Sequence, residues 1–464
     1  MKKIKFIGMV VIVATSITSC KNYLDDVSPN PNAPENVGPK VLLANVEVAT
    51  FASYTGNNAR RAAVFTQHCA GTGFQMSDIA NYNVFEGDVT NDWLTIYSGA
   101  LINSQIIIDK FGAENPYYSG MAKILKAMNL GLATDMWGDV PNKEAFKGLN
   151  LEITPHFDNQ QVVLSDIQTL LSDGIADLSK PSGSNTLFPA DDDFMFSGNT
   201  NAWIRIAYVL KARYANRLSE ISPVASATDA LAFLADAYAA GFAGNADDAQ
   251  AKFGSGGSES NQWAIFNQTR GDYIKMGAFF IDTMNATSDP RLPYYADTIS
   301  GGIYAGGALS NAIAGTSSDI GIYCDNVAAN MPLVTYVEAK FIEAECKLRS
   351  GDAIGAAAAH NEAVKASMLA VTGAADAAYE TTHASETNLT ITLNKIMMEK
   401  YIALFTQIET WTDWRRTNLP ALTPNSSGVV SGIPRRLPTS RDERLYNPNA
   451  TVVGNILQHV WYDL

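Results

Sequence analysis

The sequence predicts an all-α protein of antiparallel helical pairs carrying a loop-rich variable insert. Three observations predict it. Two amphipathic segments meet in a hairpin at 332–368, a run of further segments keeps apolar residues at helical spacing, and that spacing lapses in a glycine- and serine-rich stretch at about 241–330.

In the hairpin, Val334, Val337, Phe341, Ala344 and Leu348 fall three and four residues apart, along one helical face. Gly351 can end that helix in the left-handed region, and Asp352 can cap the next. The chain then returns with Ala356, Ala363, Val364 and Met368 inward. Alanine costs the least entropy in a helix, and its small side chain lets two helices approach closely. Ala344, Gly351, Ala356 and Ala363 stand where a tetratricopeptide repeat keeps its small residues and its turn, while His360 replaces the repeat's large aromatic. One such pair cannot bury its own face, so the chain must supply others.

Helices are expected at 39–54, 58–70, 91–111, 117–136, 159–178, 201–221 and 228–240. Ile124, Met128, Leu132 and Met136 keep the helical period, as do Val163, Ile167, Leu170, Leu171 and Ile175. Trp203, Ile206, Leu210, Tyr214 and Leu218 repeat it, with Arg205, Lys211, Arg213 and Arg217 interleaved. The insert offers one clear helix, 273–285. After the hairpin, 392–411 reads as a helix with Ile396, Met397, Tyr401, Leu404, Phe405 and Ile408 inward. The last fifty residues carry five prolines and no strong period.

The start of the chain is an address. Lys2, Lys3 and Lys5 precede an apolar run from 7 to 17 that is too short to span a bilayer. It ends in Ile17-Thr18-Ser19-Cys20, which looks like a bacterial lipobox. Residues 1–19 are therefore expected to be a lipoprotein signal peptide and Cys20 the lipid anchor. Residues 20–38, rich in proline and asparagine, read as an extended tether, and 39–464 as a single helical domain. No later stretch is apolar enough to cross a membrane, so membrane attachment is expected through lipid alone. The remaining cysteines, Cys69, Cys324 and Cys346, are odd in number and widely spaced, which argues against a disulfide framework and a zinc site.

The net charge of −14 argues against nucleic acid as a partner, since phosphate binding needs a clustered positive field. Catalytic and cofactor fingerprints are missing too. The histidines are scattered with no His-Glu-x-x-His, and neither a Walker A nor a dinucleotide motif occurs. Gly254-Ser255-Gly256-Gly257-Ser258 lacks the spacing of a nucleophile elbow, and Asp191-Asp192-Asp193 lacks the alternating ligands of a calcium loop. No enzyme activity, cofactor or metal is expected. A glycosidase carboxylate pair is the enzymatic alternative, and an adaptor that grips a protein through its repeats is a second one.

Several local motifs, in one order along nearly the whole chain, go further. They are Thr134-Asp135-Met136-Trp137-Gly138-Asp139-Val140-Pro141, Asp289-Pro290-Arg291-Leu292-Pro293-Tyr294-Tyr295, the hairpin, Met398-Glu399-Lys400-Tyr401 continuing to Trp411-Thr412-Asp413-Trp414-Arg415-Arg416-Thr417, and Ile433-Pro434-Arg435-Arg436-Leu437-Pro438. With the lipoprotein start, this set resembles the SusD/RagB family, in particular the branch with a short Asp-Trp-Arg-Arg-Thr segment. The resemblance implies a SusD-like fold and a cell-surface lipoprotein of the outer membrane of Bacteroidota. It also implies capture of an oligosaccharide, or a peptide, for a SusC-like TonB-dependent transporter partner. It transfers no catalytic or ligand-contacting residue by position. The motifs themselves read as structural, with Arg415 and Arg416 pinning a buried carboxylate and Asp289 and Arg291 bracing a turn.

Sugar capture needs displayed flat rings beside amides and carboxylates. Two loop regions offer them. One holds Phe74, Gln75, Asn81 and Tyr82, with Asn83 and Phe85; the other, in the insert, holds Trp263, Tyr304 and Tyr323. The competing reading is that each ring packs beneath its own loop.

Overall fold

The computed structural model describes residues 37–148, 151–309 and 312–464. The expected signal peptide, the Cys20 anchor and nearly all of the tether lie outside the described residues.

The body opens with α1 (Pro39–Thr55) and α2 (Asn57–Phe65), hinged at Gly56. A short strand β1 (Cys69–Gly71) and a short helix α3 (Phe74–Ala80) follow. The next helix, α4, is continuous from 90 to 111, but its middle turn, Thr95–Leu101, is π-wound. Then come α5 (Pro116–Trp137), α6 (Gln160–Leu178), α7 (Thr200–Asn216) and α8 (Pro223–Ala239). Proline at the first turn suits α1, α5 and α8, because those N–H groups have no helical partner. Each of α4 to α7 packs on its successor, α8 also packs on the later helix 336–349, and α1 covers α4 and α5. The helical body is therefore a stack of antiparallel pairs, as the periodicity predicts.

The hairpin is α13 (Tyr336–Arg349) and α14 (Ala353–Thr372). Thr335 caps the first through Glu338 N, Asp352 caps the second through Gly355 N, and Gly351 turns between them at φ 85°. Phe341, Ala344, Ala356, Ala363 and Met368 form a small core of their own with Tyr379 and Ile396. The main core runs beneath the rest of the chain and contains the buried rings of Trp137, Trp203, Trp263 and Trp411.

The insert is more ordered than its composition predicts. It contains α9 (Gln262–Thr269), α10 (Ala278–Thr287), α11 (Leu292–Tyr295) and α12 (Ile322–Asp325). Strand β2 (Ala249–Ala251) pairs antiparallel with β4 (Met331–Val334), and β3 (Ile274–Met276) pairs antiparallel with β1. Apart from α10, which the sequence marks, these elements span about two turns or less and show no period, so the sequence leaves them unmarked. The β1–β3 pairing also corrects two helix bounds. The helix expected over 58–70 stops at Phe65, where Gln67 turns left-handed at φ 63°, and the helix expected from 273 begins at Ala278. The segment 392–411 is likewise two helices, α16 (Leu393–Ala403) and α17 (Glu409–Thr417), because the chain reverses through Thr406 at φ 76°. Two short helices, α15 (Ala377–His383) and α18 (Arg441–Tyr446), complete the chain.

The recurring motifs are joined by buried ion pairs. Arg213 meets Glu338, and Arg217 bridges Asp135 at 3.0 Å and Glu409 at 2.6 Å. Arg416 clamps Glu345 and Asp413, and Arg291 holds Asp289 at 2.6 Å and Glu399 at 2.9 Å. Arg415 departs from its expected role: its guanidinium donates to the carbonyls of Asp135 and Arg435, so it ties down chain rather than a carboxylate.

Candidate functional site

The ladder between β1 and β3 positions the site. Cys69 pairs with Met276 and Gly71 with Ile274, and beyond the ladder Thr72 N and Gly73 N both donate to the carbonyl of Tyr273. The chain then enters α3 through Phe74, held left-handed at φ 48°. That turn throws the Phe74 ring outward, where 75% of the residue stays exposed. It lies 4.6 Å from the Tyr273 ring and 20° from parallel with it. Beneath, Tyr273 meets Phe266 edge-on at 6.1 Å, and the guanidinium of Arg60 sits 4.3 Å over Phe266. The displayed ring therefore stands on a fixed aromatic stack.

Beside it runs a groove of about 330 Å³ between α2, α3 and the 83–91 turn. Gln75, Asp78 and Asn83 offer amides and a carboxylate along it, and Phe85, 61% exposed, stands at its edge. Arg60 and Arg61 form the wall. Arg61 pairs with Asp92 at 3.0 Å, whereas among the described residues Arg60 donates to neutral acceptors, Asn57 Oδ1 and Gln262 O. Burial pulls the Arg60 guanidinium down to about 10. The groove thus offers hydrogen-bond donors and acceptors next to a flat apolar surface. A larger cavity of about 630 Å³ lies between α1, the 191–197 turn and the 252–262 loop, lined by Phe51, Phe194 and Phe253. In that turn Asp193 accepts from the backbone of Met195, Phe196 and Gly198 and from Trp203 Nε1, so it is spent on the fold.

The expected site residues divide. Phe74 and Gln75 lie together at the displayed face. Asn81 supports it: its carbonyl accepts from Val429 N, and its side-chain oxygen accepts from Asn425. Tyr82 is buried, packed on Phe65, with its hydroxyl accepting from Asn425 N. Trp263 is buried as well, 6.0 Å from Phe405. The expectation that these two rings are displayed is corrected, because each fills the core under its own loop. Tyr304 is half-buried against the main core, three residues before Gly307, whose N–H donates to the Met276 carbonyl of β3. Its stretch is therefore tied to the same ladder as Phe74. Tyr323 packs on Tyr295 and lines a different, small polar cavity with Asp248 and Gln407. The reading of the sequence missed Tyr273, the partner of Phe74. The Gly271-Asp272 pair before it was the available signal of a turn.

A family model described as "Starch-binding associating with outer membrane", of the SusD-like type, matches residues 31–438. The chain belongs to the SusD-like family. Solved structures agree on the fold. A chitin-binding protein superposes with a TM-score of 0.76 at 22% identity, covering 92% of this chain and 100% of its own. A chitin-binding SusD homolog from Flavobacterium johnsoniae gives 0.77 at 22%, covering 92% and 97%. A SusD/RagB family protein from Bacteroides thetaiotaomicron gives 0.74 at 23%, covering 92% and 99%. Among curated proteins none matches. For this SusD-like chain, the family is one of carbohydrate binding and outer-membrane association. Among the described residues no helix is long and apolar enough to cross a membrane.

Proposed function

We propose that this protein captures an oligosaccharide on the face built around Phe74 and passes it, unbroken, to a TonB-dependent transporter of the SusC type. The observation that carries this reading is the Phe74 ring, three-quarters exposed and stacked on Tyr273 beside an amide-lined groove. The apolar face of a pyranose stacks on such a ring while its hydroxyls bond to amides and carboxylates. A peptide would need no such platform, so sugar is the favoured class. The chitin-binding relatives and the starch-binding family description support it. Cys20, acylated, would hold the protein at the outer membrane with its body in water, facing the cell exterior. Handover requires release, so affinity should be modest, on the order of micromolar to millimolar.

Calorimetric titration with starch- and chitin-derived oligosaccharides tests the reading. Wild-type protein should bind at least one series without cleaving it. Phe74→Ala should weaken that binding about tenfold, the value of one stacking contact of about 1.4 kcal/mol. Equal affinity of the variant, or hydrolysed product after incubation, would remove the proposal.

A further inference from the structure

Away from the Phe74 face, among the described residues one buried lysine carries its charge into the interior with no countercharge beside it. Lys126, midway along α5, is only 7% exposed. Its Nζ donates to Gln105 Oε1 of α4 and lies 5.1 Å from the centre of the Phe146 ring. Among the described residues no carboxylate comes within ion-pair distance of it. The acid reached through hydrogen bonds is one amide removed, since Gln105 Nε2 donates to Asp109 Oδ1 at 2.8 Å. An ammonium has three donors, and this one uses a single neutral acceptor. Burial accordingly draws its pKa down to about 8, against the pull of Asp109 and Asp166. Such a charge is normally paired or absent.

Lys126 lines a cavity of about 390 Å³ between α4, α6 and the turn after α5. Lys143 and Lys147 line it too, as do Asp109 and Asp166; Lys143 lies 3.9 Å from Asp166 and Lys147 3.7 Å from Glu152. Of the three lysines, Lys126 alone has no carboxylate within ion-pair distance among the described residues. Asn142 is fixed by its amide, which donates to Asp166 at 2.8 Å. The hydroxyl of Thr169 stands at the exposed rim, and Leu170 adds an apolar patch beside Phe146.

We propose that this cavity is a second binding site, for a singly charged, hydroxylated carboxylate the size of a sugar acid. One carboxylate supplies the acceptors that Lys126 lacks. A doubly charged phosphate would meet Asp109 and Asp166 as well, and is disfavoured. Amides and a hydroxyl suit the sugar's hydroxyls, the Phe146 and Leu170 surface suits its C–H face, and the volume holds a small ring compound. The site shares no residue with the Phe74 groove, so it stands or falls separately.

The test titrates the purified protein with galacturonate, galactose and inorganic phosphate. Galacturonate should bind at least about tenfold more tightly than either other probe, and should shield Lys126 from amine acetylation read by mass spectrometry. Thr169→Asp adds a negative charge at an exposed rim position without touching the core, and should weaken galacturonate about tenfold. Lys126→Met should abolish its binding, while Phe74→Ala leaves it unchanged. No galacturonate binding, equal binding of galactose or phosphate, or wild-type affinity in Thr169→Asp would overturn the proposal.

Discussion

Gly71 occupies a place that a side chain cannot share. A Cβ there would lie 1.8 Å from the Met76 carbonyl oxygen, where α3 folds back onto β1. Gly71→Ala must push α3 off the strand, and backbone clashes of this kind cost about 1–3 kcal/mol. The urea midpoint should fall accordingly, and oligosaccharide affinity should fall with it, because α3 carries Phe74 and Gln75. A variant with unchanged midpoint and affinity would show that the close approach is unimportant. At this scale the sequence was half legible. Rings and amides in a turn-rich stretch marked Phe74 and Gln75. Nothing local separates Phe74 from Tyr82, however. Both are aromatic residues with left-handed backbones at the ends of α3, and only the tertiary packing of Tyr82 on Phe65 and Asn425 turns one inward. Trp263 was misplaced for the same reason. Asn261 caps its helix, an exposed-looking signal, while the ring dives toward Phe405.

Between elements, the buried ion pairs decide how the hairpin is fastened. Glu345 of α13 is 1% exposed; burial would raise its carboxyl, but Arg416 of α17, with Arg349 and Lys400 behind it, holds it below its ordinary value. Removing one partner of a buried pair leaves an uncompensated charge, at a cost of about 3–5 kcal/mol. Arg416→Met should therefore lower the thermal midpoint far more than Arg441→Met, whose side chain is largely exposed. Equal shifts would contradict the assignment. Helix pairs were legible because α6 and α14 bury one face each over many turns, while α5 is buried almost all round and keeps a long apolar run. The break between α16 and α17 was not. Phe405 and Ile408 continue the apolar spacing of α16, and both are buried, so the pattern is the same whether the chain runs on or reverses at Thr406.

Across the whole molecule, acid should act in two stages. Burial holds His68 neutral, with a pKa of about 3 against an unfolded value near 6.5. Its contribution is intact above about pH 6.5 and is lost as pH falls, at up to about 1.4 kcal/mol per unit. Asp248 opposes it: burial raises that carboxyl to about 8, so its folded state gains as pH falls toward about 4. Below that the opposition ends. The carboxylates of Glu399 and Asp413, held at about 2 by Arg291 and by Lys400 respectively, begin to lose their contributions in the same range. Urea midpoints should change little between pH 6.5 and about 4.5 and drop steeply below about 4; a midpoint that holds at pH 3 would refute the scheme. The seam between β1 and β3 has a consequence in time rather than energy. Its two sides are some two hundred positions apart. A chain emerging amino end first can therefore finish its early coils while the proposed recognition surface is still missing its second half. An intermediate caught before Tyr273 arrives would be a well-formed shell that is blind to its cargo.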